Sequence, residues 1–457
     1  MRLGNFSMDH STKSIAEFTT RLDYATLPAD LVHDCKRRII DTIGCALAAF
    51  NEEPVRIARA VAMRTTVADG ATVIGTSHKT LPELAGFANG VASRFIEGND
   101  TYPGGGGHPS DCLLPILAVA QANRASAQTA IAAIVLGYEA HRYLFRAFPM
   151  RKHALDYVIY NAVSSAVGAA KVLGLSTEQT AHAIALAAVP NLGTDISRRG
   201  HLTMWKGCAA ANAARNGVFA AIVAKEGMAG PPTPFEDGLT AVIGAEEVCP
   251  FPVDPKTFSL LRADYKYFLS EFHAQGPAFL ALELRPQIKL DDIAKIEVFT
   301  YHFAWFEIGS GAEKWKPTTR ETADHSMPYV VGAVLIDGAY TDAIFAPERF
   351  QDQRTLDLMK KIVITEDAEF NKRYPHSLPC RMTITLKSGE QKTAELSNPI
   401  GHHDRPMSDA QVVEKFHGLA GRKLPPERLR TILDRVWAIE DDKAWPSLFD
   451  EMLIRDR

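Results

Sequence analysis

Side chains that can move protons or bind anions stand close together in the first quarter of this chain. Residues 97–101, Glu-Gly-Asn-Asp-Thr, follow a stretch of small and apolar residues, and four glycines at 104–107 separate them from His108. A carboxylate or a hydroxyl near an imidazole can orient the ring and tune its pKa. An isolated histidine after a loop is more often structural. The grouping makes His108 a candidate acid or base, with Glu97 or Thr101 as its candidate orienting group.

Two lysines are candidates for binding a carboxylate. Lys206 begins an alanine-rich stretch that reads KGCAAANAARNG, and a helix N-terminus favours anions. Lys266 lies between two tyrosines near a change of sequence pattern, where it can reach a cleft or extend along the surface. A solvated surface position is the common alternative for lysine.

A further polar segment, TRETADHSMPY, carries His325 and Tyr329. Asp324 and Ser326 in the same segment are natural helix caps, so a structural role stays open for it.

Several other chemistries lack their local signals. The sequence has no phosphate-binding loop of the GxxxxGK[ST] type, no GxSxG and no HExxH. Its six cysteines form no CxxC pair, and the adjacent His402 and His403 have no third metal ligand at a recognisable spacing. We therefore expect no metal, nucleotide or flavin cofactor.

Composition indicates a globular protein that binds neither nucleic acid nor membrane. The 457 residues are 46% hydrophobic, and their formal net charge is −4, from 50 basic and 54 acidic side chains. The first fifteen residues have no apolar core of a signal peptide, and no apolar stretch is long enough to span a bilayer. Without a cysteine framework for disulfides, a reducing, cytoplasmic location is expected.

The elements that must position these residues are mostly helices. From residue 28 to about residue 50, apolar residues recur every fourth position, which predicts an amphipathic helix. Further helices are predicted at about 81–97, 113–124, 126–148, 160–173, 176–189 and 204–227. Many are rich in alanine and glycine, which lets helices approach closely.

The pattern changes after about residue 260. Residues 293–303, 361–367 and 380–396 alternate apolar and polar side chains, which predicts strands, the last segment being a hairpin. A helix is predicted to start near Ser326 and to end at Gly338, and helical periodicity returns at 408–420 and 425–440. The predicted fold class is mainly α, with a large all-helical domain (1–261 and 398–457) and an inserted smaller α+β domain (262–397).

Five segments in this order resemble the 2-methylcitrate dehydratase (MmgE/PrpD) family. They read RRIIDTIGCALAA, NDTY…GHPSD, MWKGCAAANAARNGVFAA, KPTTRETADHSMPY and GHHDRPMS. The family has cis-aconitate decarboxylase and iminodisuccinate epimerase as relatives. The resemblance implies a homodimer of helical domains, each with an inserted α+β lid, that acts on a small polycarboxylate.

The resemblance also implies which residues form the site. By position in the matching motifs, the family's catalytic residues correspond to Glu97, His108, Lys206, Lys266 and Tyr329, and its substrate-binding threonine to Thr101. The family usually has aspartate where this chain has Glu97, and commonly histidine where it has Tyr157. A phenol has an ordinary pKa near 10 and is a poor base at pH 7, so Tyr157 is assigned to substrate binding.

These residues suit the dehydration of a hydroxylated di- or tricarboxylate such as 2-methylcitrate. The reaction needs a base for the proton α to a carboxylate, cations for the charge that develops, and an acid for the departing hydroxyl. Epimerisation, isomerisation or decarboxylation of a related acid shares the α-carbanion and is the alternative. A non-catalytic dicarboxylate-binding protein is the second alternative, which the missing histidine at position 157 makes conceivable.

Overall fold

The structure is a computed structural model that describes residues 8–198, 202–244, 250–254 and 256–455. Residues 1–7, which belong to the segment predicted not to be a signal peptide, and Cys249 lie outside the described residues. About 62% of the residues are helical, which confirms the predicted mainly-α class. Among the described helices, none combines the length and the apolar character that a bilayer crossing needs.

Helices dominate the first half of the chain, with two very short strands between the third and fourth helix. The elements are α1 (His10–Arg21), α2 (Ala29–Ala48), α3 (Glu53–Ala62), β1 (Ala71–Thr72), β2 (Lys79–Thr80), α4 (Pro82–Phe95), α5 (Leu113–Ala122), α6 (Ala127–Ala147), α7 (Val158–Leu173), α8 (Thr177–Ala188), α9 (Trp205–Lys225) and α10 (Thr240–Ile243).

Helices and strands alternate in the second half, and the chain ends in helices again. The elements are α11 (Gln275–Leu284), β3 (Ile293–Thr300), α12 (His302–Ala304), α13 (Arg320–Ala323), α14 (Met327–Asp337), α15 (Gln353–Met359), β4 (Ile362–Glu366), α16 (Ala368–Arg373), β5 (Cys380–Leu386), β6 (Gln391–Leu396), α17 (Asp409–Ala420) and α18 (Pro426–Trp437).

The chain divides into two compact units. The first takes Met1–Arg198, Met204–Ala263 and Ser408–Arg457, and the second takes Arg199–Thr203 and Asp264–Met407. The predicted domain boundaries, and the lid function of the smaller domain, stay predictions.

Close helix packing forms the core of the first unit, as the alanine- and glycine-rich sequence predicts. Helix α9 packs against α7, α4 and α8. At one crossing, a Cβ atom on Gly217 of α9 would lie 2.0 Å from the carbonyl oxygen of Ala162 on α7, so only glycine fits there. Serines cap several of these helices: Ser126 accepts a hydrogen bond at the start of α6, and Ser176 forms a capping box at α8.

The prediction that this part of the chain is all-helical was wrong in one place. Strands β1 and β2 pair antiparallel, with Ala71 opposite Thr80 and Thr72 opposite Lys79. Side chains from helices complete the pairing, because Gln121 accepts from the Thr72 N–H and Asn89 donates to the Thr72 carbonyl. Such short strands depend on partners distant in sequence, which local periodicity does not reveal.

The second unit is built on a four-stranded sheet in the order β4-β3-β5-β6. Strand β3 pairs in parallel with β4 and antiparallel with β5, and β5 and β6 form the predicted hairpin. Helices α11 and α14 pack on the sheet around one apolar core. The predicted capping of α14 is confirmed: Ser326 accepts from the Tyr329 N–H, and Gly338 ends the helix at φ +67°.

Candidate active site

The end of helix α4 places a carboxylate in the interior of the first unit. Glu97 follows α4 with a φ of +57°, in the left-handed region that residues other than glycine rarely adopt. The residue is 1% exposed. This backbone turn is the local feature that sets the direction of the Glu97 side chain.

Two cations share that carboxylate. Glu97 Oε1 lies 2.6 Å from Nη1 of Arg94 on α4 and 2.8 Å from Nζ of Lys206 in the first turn of α9. All three side chains are nearly inaccessible to solvent, and buried charges need such pairing because their desolvation is costly. The sequence-predicted Glu97 and Lys206 are therefore in direct contact.

The hydrogen bonds of His108 define which ring nitrogen carries the proton. Nδ1 lies 2.6 Å from the backbone oxygen of Asp100, and a carbonyl can only accept. Nδ1 therefore carries hydrogen, and in the neutral ring Nε2 holds the lone pair of a base. The sequence suggested Glu97 or Thr101 as the orienting group; for Nδ1 that group is the Asp100 carbonyl.

The Asp100 side chain anchors this segment to the surrounding helices. Its Oδ1 accepts from the Ser110 N–H, and its Oδ2 accepts from Arg38 on α2 and from Tyr138 on α6. Asn161 on α7 donates to the backbone oxygen of His108. Both ends of the glycine loop are thus held by side chains of the helical core.

The four glycines form a closed loop between Thr101 and His108. The Thr101 hydroxyl donates to the Gly107 carbonyl at 2.9 Å, and His141 on α6 donates to the Gly106 carbonyl at 2.7 Å. Gly107 has a φ of +71°, and a Cβ atom on it would lie 2.3 Å from the Tyr157 ring. Thr101 was predicted to bind substrate. In the structure its hydroxyl hydrogen instead makes the hydrogen bond that closes this loop.

Tyr157 lies between His108 and a cation. Its ring is 5.9 Å from the His108 ring, and the guanidinium carbon of Arg198 is 4.8 Å from the ring centre. The hydroxyl oxygen is buried and has no hydrogen-bond partner among the described residues. Burial raises the pKa of Tyr157, so at neutral pH it is a protonated donor.

Three charged residues that lie near Glu97, His108 and Tyr157 were not identified from the sequence: Arg94, Asp111 and Arg198. Arg94 stands three residues before Glu97 in a largely apolar helix, a spacing that could have revealed the ion pair. Asp111 lies in a short 3₁₀ helix after His108, where Asn99 donates to its Oδ1 at 2.8 Å. Arg198 has no comparable local signal.

Lys266 and Tyr329 belong to the second unit. Lys266 is 1% exposed. Burial raises the pKa of Glu271 and lowers that of His273, and the charge of Lys266 lowers both pKa values. Tyr329 is buried in the apolar core of that unit, where its hydroxyl donates to the Ile344 carbonyl. These contacts are those of a packing tyrosine, and the catalytic roles of both residues stay predictions.

A third ligand-type side chain joins the two adjacent histidines of the second unit. Asp264 Oδ1 accepts from the backbone N–H of His403 at 2.8 Å and lies 2.7 Å from its Nδ1. These groups lie close enough together to surround a cation, which the spacing in sequence did not suggest. However, His402 Nδ1 accepts from the Asp404 N–H, so Nε2 of the neutral ring carries a proton instead of a lone pair for a metal.

The first unit thus combines a base-competent imidazole, two buried cations and a carboxylate on a helical scaffold. This is the chemistry of a site that handles the protons of a small anion. Comparison with known proteins identifies the scaffold: residues 13–247 match the MmgE/PrpD N-terminal domain, and residues 268–439 match the MmgE/PrpD C-terminal domain. The chain belongs to the MmgE/PrpD family.

Similar proteins carry the names of two activities. The chain is 29% identical to the mitochondrial 2-methylcitrate dehydratase of Yarrowia lipolytica, over 89% of this chain and 85% of that protein. It is 28% identical to 2-methylcitrate dehydratase of Salmonella typhimurium, over 92% and 90%. It is 26% identical to human cis-aconitate decarboxylase, over 94% and 92%. Family membership therefore supports a lyase-type activity.

Proposed function

We propose that this protein is a carbon–oxygen lyase that dehydrates a small hydroxylated di- or tricarboxylate such as 2-methylcitrate. The observation that carries the proposal is the tautomer of His108. Because Nδ1–H is given to the Asp100 carbonyl, the neutral ring offers Nε2 as a general base. The names of the dehydratases that this chain resembles support the substrate class.

In this proposal His108 removes the proton α to a carboxylate of the substrate. Negative charge then develops on that carboxylate, and fixed cations stabilise such charge strongly in a buried site. Lys206 is the cation assigned to it. Glu97 orients Lys206 through the 2.8 Å contact. The Tyr157 hydroxyl donates a hydrogen bond to a second oxygen of the substrate. For Lys266 and Tyr329 the family motifs predict catalytic roles, and these stay predictions.

The decisive experiment incubates the purified protein with 2-methylcitrate and with citrate in deuterated water, and follows the products by NMR. Loss of water from either acid supports the proposal. A polycarboxylate that binds without turnover would instead favour a binding protein. His108→Ala should reduce the rate about 10²–10⁴-fold, whereas His153→Ala, at an exposed position, should not. Full activity in a folded His108→Ala variant would contradict the mechanism.

A matched pair on helix α9 tests the role of Lys206. Lys206→Met removes a buried charge next to Glu97, whereas Lys225→Met removes an exposed charge at the other end of the same helix. We expect a large loss of kcat/KM only in the first variant, because only Lys206 can contact the reacting carboxylate. Equal activity of the two variants would remove Lys206 from the site.

Decarboxylation of an unsaturated polycarboxylate is the second candidate function. It is favoured by the similarity to human cis-aconitate decarboxylase across nearly the full length of both chains. The two reactions differ in what leaves the substrate, carbon dioxide or water. Including cis-aconitate in the same NMR experiment separates them.

The proposal retains two further expectations from the family resemblance, a homodimer and a cytoplasmic location. Light scattering on the eluted peak of a size-exclusion column measures the first. Fractionation of cells that express the full-length chain measures the second.

A further inference from the structure

Among the buried side chains of the first unit that present a polar atom without a hydrogen-bond partner among the described residues, four are charged or phenolic groups that interact with one another. The atoms are Nε of Arg94, Oδ2 of Asp111, the hydroxyl oxygen of Tyr157 and Nη2 of Arg198. Nearly all buried polar atoms in proteins are hydrogen-bonded. Such a concentration next to His108 therefore points to a polar ligand, and we call these four side chains the Asp111 cluster.

The remaining atoms of the same side chains are firmly held. Arg94 Nη1 binds Glu97, and Asn99 donates to Asp111 Oδ1. Arg198 Nε donates to Asp156 at 3.0 Å, and its Nη1 donates to the backbone oxygen of Lys206 at 2.6 Å. Because one side of each group is fixed, the direction of its unpartnered atom is fixed as well.

Electrostatic interactions connect the four side chains: burial raises the pKa of Asp111 and of Tyr157, and both guanidinium groups lower both values. Arg94 Nε lies 3.9 Å from Asp111 Oδ2, too far for a hydrogen bond and too close for independent sites. The Arg198 guanidinium lies over the Tyr157 ring at 4.8 Å. The ring of Tyr157 is in turn 5.9 Å from the ring of His108.

The cluster offers three fixed donors and one carboxyl oxygen. The two guanidinium N–H groups and the neutral phenol can donate only to an acceptor such as a carboxylate. Asp111 Oδ2 accepts a hydrogen bond when the carboxyl group is ionised and donates one when it carries the proton. A hydroxyl can pair with Oδ2 in either state, so a hydroxyl next to a carboxylate satisfies all four atoms.

We propose that the Asp111 cluster binds the hydroxyl-bearing carboxylate end of the substrate, and that Asp111 is the catalytic acid that protonates the departing hydroxyl. The proposal rests on the proposed dehydration. His108 takes the α-proton, and the electron pair of the C–H bond becomes the new C=C bond. The C–O bond breaks, and the Asp111 proton joins the hydroxyl to form water. Asp111 is left as a carboxylate and His108 as an imidazolium, and exchange with solvent resets both.

The electrostatic surroundings suit an acid that is protonated near neutral pH. Burial raises the pKa of Asp111 to about 7, while Arg94 and Arg198 lower it and the charges of Asp100 and Glu97 raise it. Tyr157 and Cys112 also interact with Asp111; burial raises the pKa of both, so both are neutral at pH 7. Since Asp111 must be protonated to act, kcat/KM should fall as the pH rises above about 7.

The test is Asp111→Asn, which keeps the shape and a hydrogen bond but cannot donate a proton. With 2-methylcitrate or citrate, whichever the wild type dehydrates faster, we expect kcat to fall about 10²–10⁴-fold. The variant should still exchange the α-proton of the substrate for deuterium, because the base is intact. Its kcat/KM should also lose the fall above neutral pH.

A second variant keeps the carboxyl group and tests the same acid. Asn99 donates a hydrogen bond to Asp111 Oδ1, and this bond stabilises the ionised form of Asp111. Asn99→Ala removes it. The pKa of Asp111 should therefore rise, and the fall of kcat/KM should move to higher pH. This variant decides the matter if Asp111→Asn does not fold.

Three results would overturn the inference while leaving the proposed function intact. One is wild-type turnover by Asp111→Asn with an unchanged pH profile. Another is a folded Asp111→Asn protein that loses deuterium exchange together with turnover, since Asp111 would then act on the base. The third is a pH profile of kcat/KM that does not move in Asn99→Ala. Failure of the wild type to dehydrate any of the acids would instead refute the proposed function.

Discussion

At the scale of single residues, the site depends on charges that are buried only because they are paired. One carboxylate oxygen of Glu97 serves both Arg94 and Lys206, so neutralising Glu97 leaves two buried cations without their shared partner. A shorter aspartate, which the family usually has here, would have to reach both cations from a different backbone position. These ion pairs should therefore contribute to the stability of the first unit.

Glu97→Gln should lower the free energy of unfolding by about 3–5 kcal/mol, the usual cost of removing one partner of a buried ion pair. Urea unfolding followed by circular dichroism measures this change. The control is Glu369→Gln, in a pair with Lys372 whose side chains are more than 70% exposed, where nearly no change is expected. Equal effects in the two variants would show that the Glu97 pairs contribute little.

At the scale of elements, the glycine loop positions His108 and Tyr157 at the same time. The loop is closed by Thr101 and held by His141 from α6, and Gly107 lies directly against the Tyr157 ring. A side chain at Gly107 would displace that ring or the loop. The conformation of a backbone segment without polar side chains thus decides where two site residues lie.

Gly107→Ala should reduce both stability and kcat/KM, and Gly174→Ala is its matched control. Both glycines have a left-handed backbone, with φ of +71° and +66°, so both variants should lose about 1–2 kcal/mol from backbone strain. Only Gly107 has a neighbour, the Tyr157 ring, within contact distance of an added Cβ. If the two variants lose activity equally, the contact with Tyr157 does not matter for catalysis.

Helix α6 contributes an acid-sensitive contact to the same loop. Burial lowers the pKa of His141 to about 4, below the ordinary value near 6.5. Between these two pH values the unfolded chain binds a proton that the folded protein does not. The free energy of unfolding therefore falls as the pH falls through this window, by at most about 3 kcal/mol.

His141→Gln should remove this acid sensitivity, because glutamine can donate to the Gly106 carbonyl and does not titrate. Relative to the wild type, its free energy of unfolding should rise as the pH is lowered from 6.5 to 4. His417→Gln, at an exposed position on α17, should follow the wild type throughout. If the free energy of unfolding depends on pH in the same way in wild type and His141→Gln, His141 takes up a proton as readily in the folded protein as in the unfolded chain.

At the scale of the whole molecule, hydrogen bonds join the two ends of Asp264–Met407, the long segment of the second unit. We call this group of hydrogen bonds the clasp. Asp264 at the start binds His403 near the end, and the Tyr265 N–H donates to the Gly401 carbonyl at 2.8 Å. Asp264 and His402 are completely buried. The clasp joins the two chain segments through which the polypeptide enters and leaves this unit.

Asp264→Asn should lower the unfolding temperature, at a cost of about 1–3 kcal/mol. A neutral amide oxygen accepts more weakly from His403 than a carboxylate does, and the NH2 group at the position of Oδ2 is a buried donor without an acceptor. Asp404→Asn is the control. The Asp404 side chain is 59% exposed, and its carboxylate oxygens lie 3.8–3.9 Å from the histidine ring nitrogens, too far for a hydrogen bond. Calorimetry in the presence and absence of a chelator measures both. A wild-type transition that drops with chelator would show that a cation, and not hydrogen bonding alone, holds the clasp.

The sequence by itself determined most of the helices and strands, and it predicted the residue types of the candidate site. Helices predicted at 81–97, 126–148 and 204–227 are observed as Pro82–Phe95, Ala127–Ala147 and Trp205–Lys225. Periodicity of apolar residues and capping by Ser326 are local signals, so they can be read without tertiary information. The family motifs predicted Glu97, His108 and Lys206 as site residues, and the structure brings Glu97 and Lys206 into contact.

Only the tertiary structure decided how those residues are paired. The contact between Glu97 and Lys206 joins helices whose residues are more than a hundred positions apart, and Asp264 meets His403 over a similar separation. The tautomer of His108 depends on the Asp100 carbonyl, a backbone group that no side-chain pattern reports. Asp111 and Arg198 became candidate site residues only because burial left a polar atom of each without a partner among the described residues. Burial and long-range contact are properties of the folded chain, and local sequence carries no direct record of them.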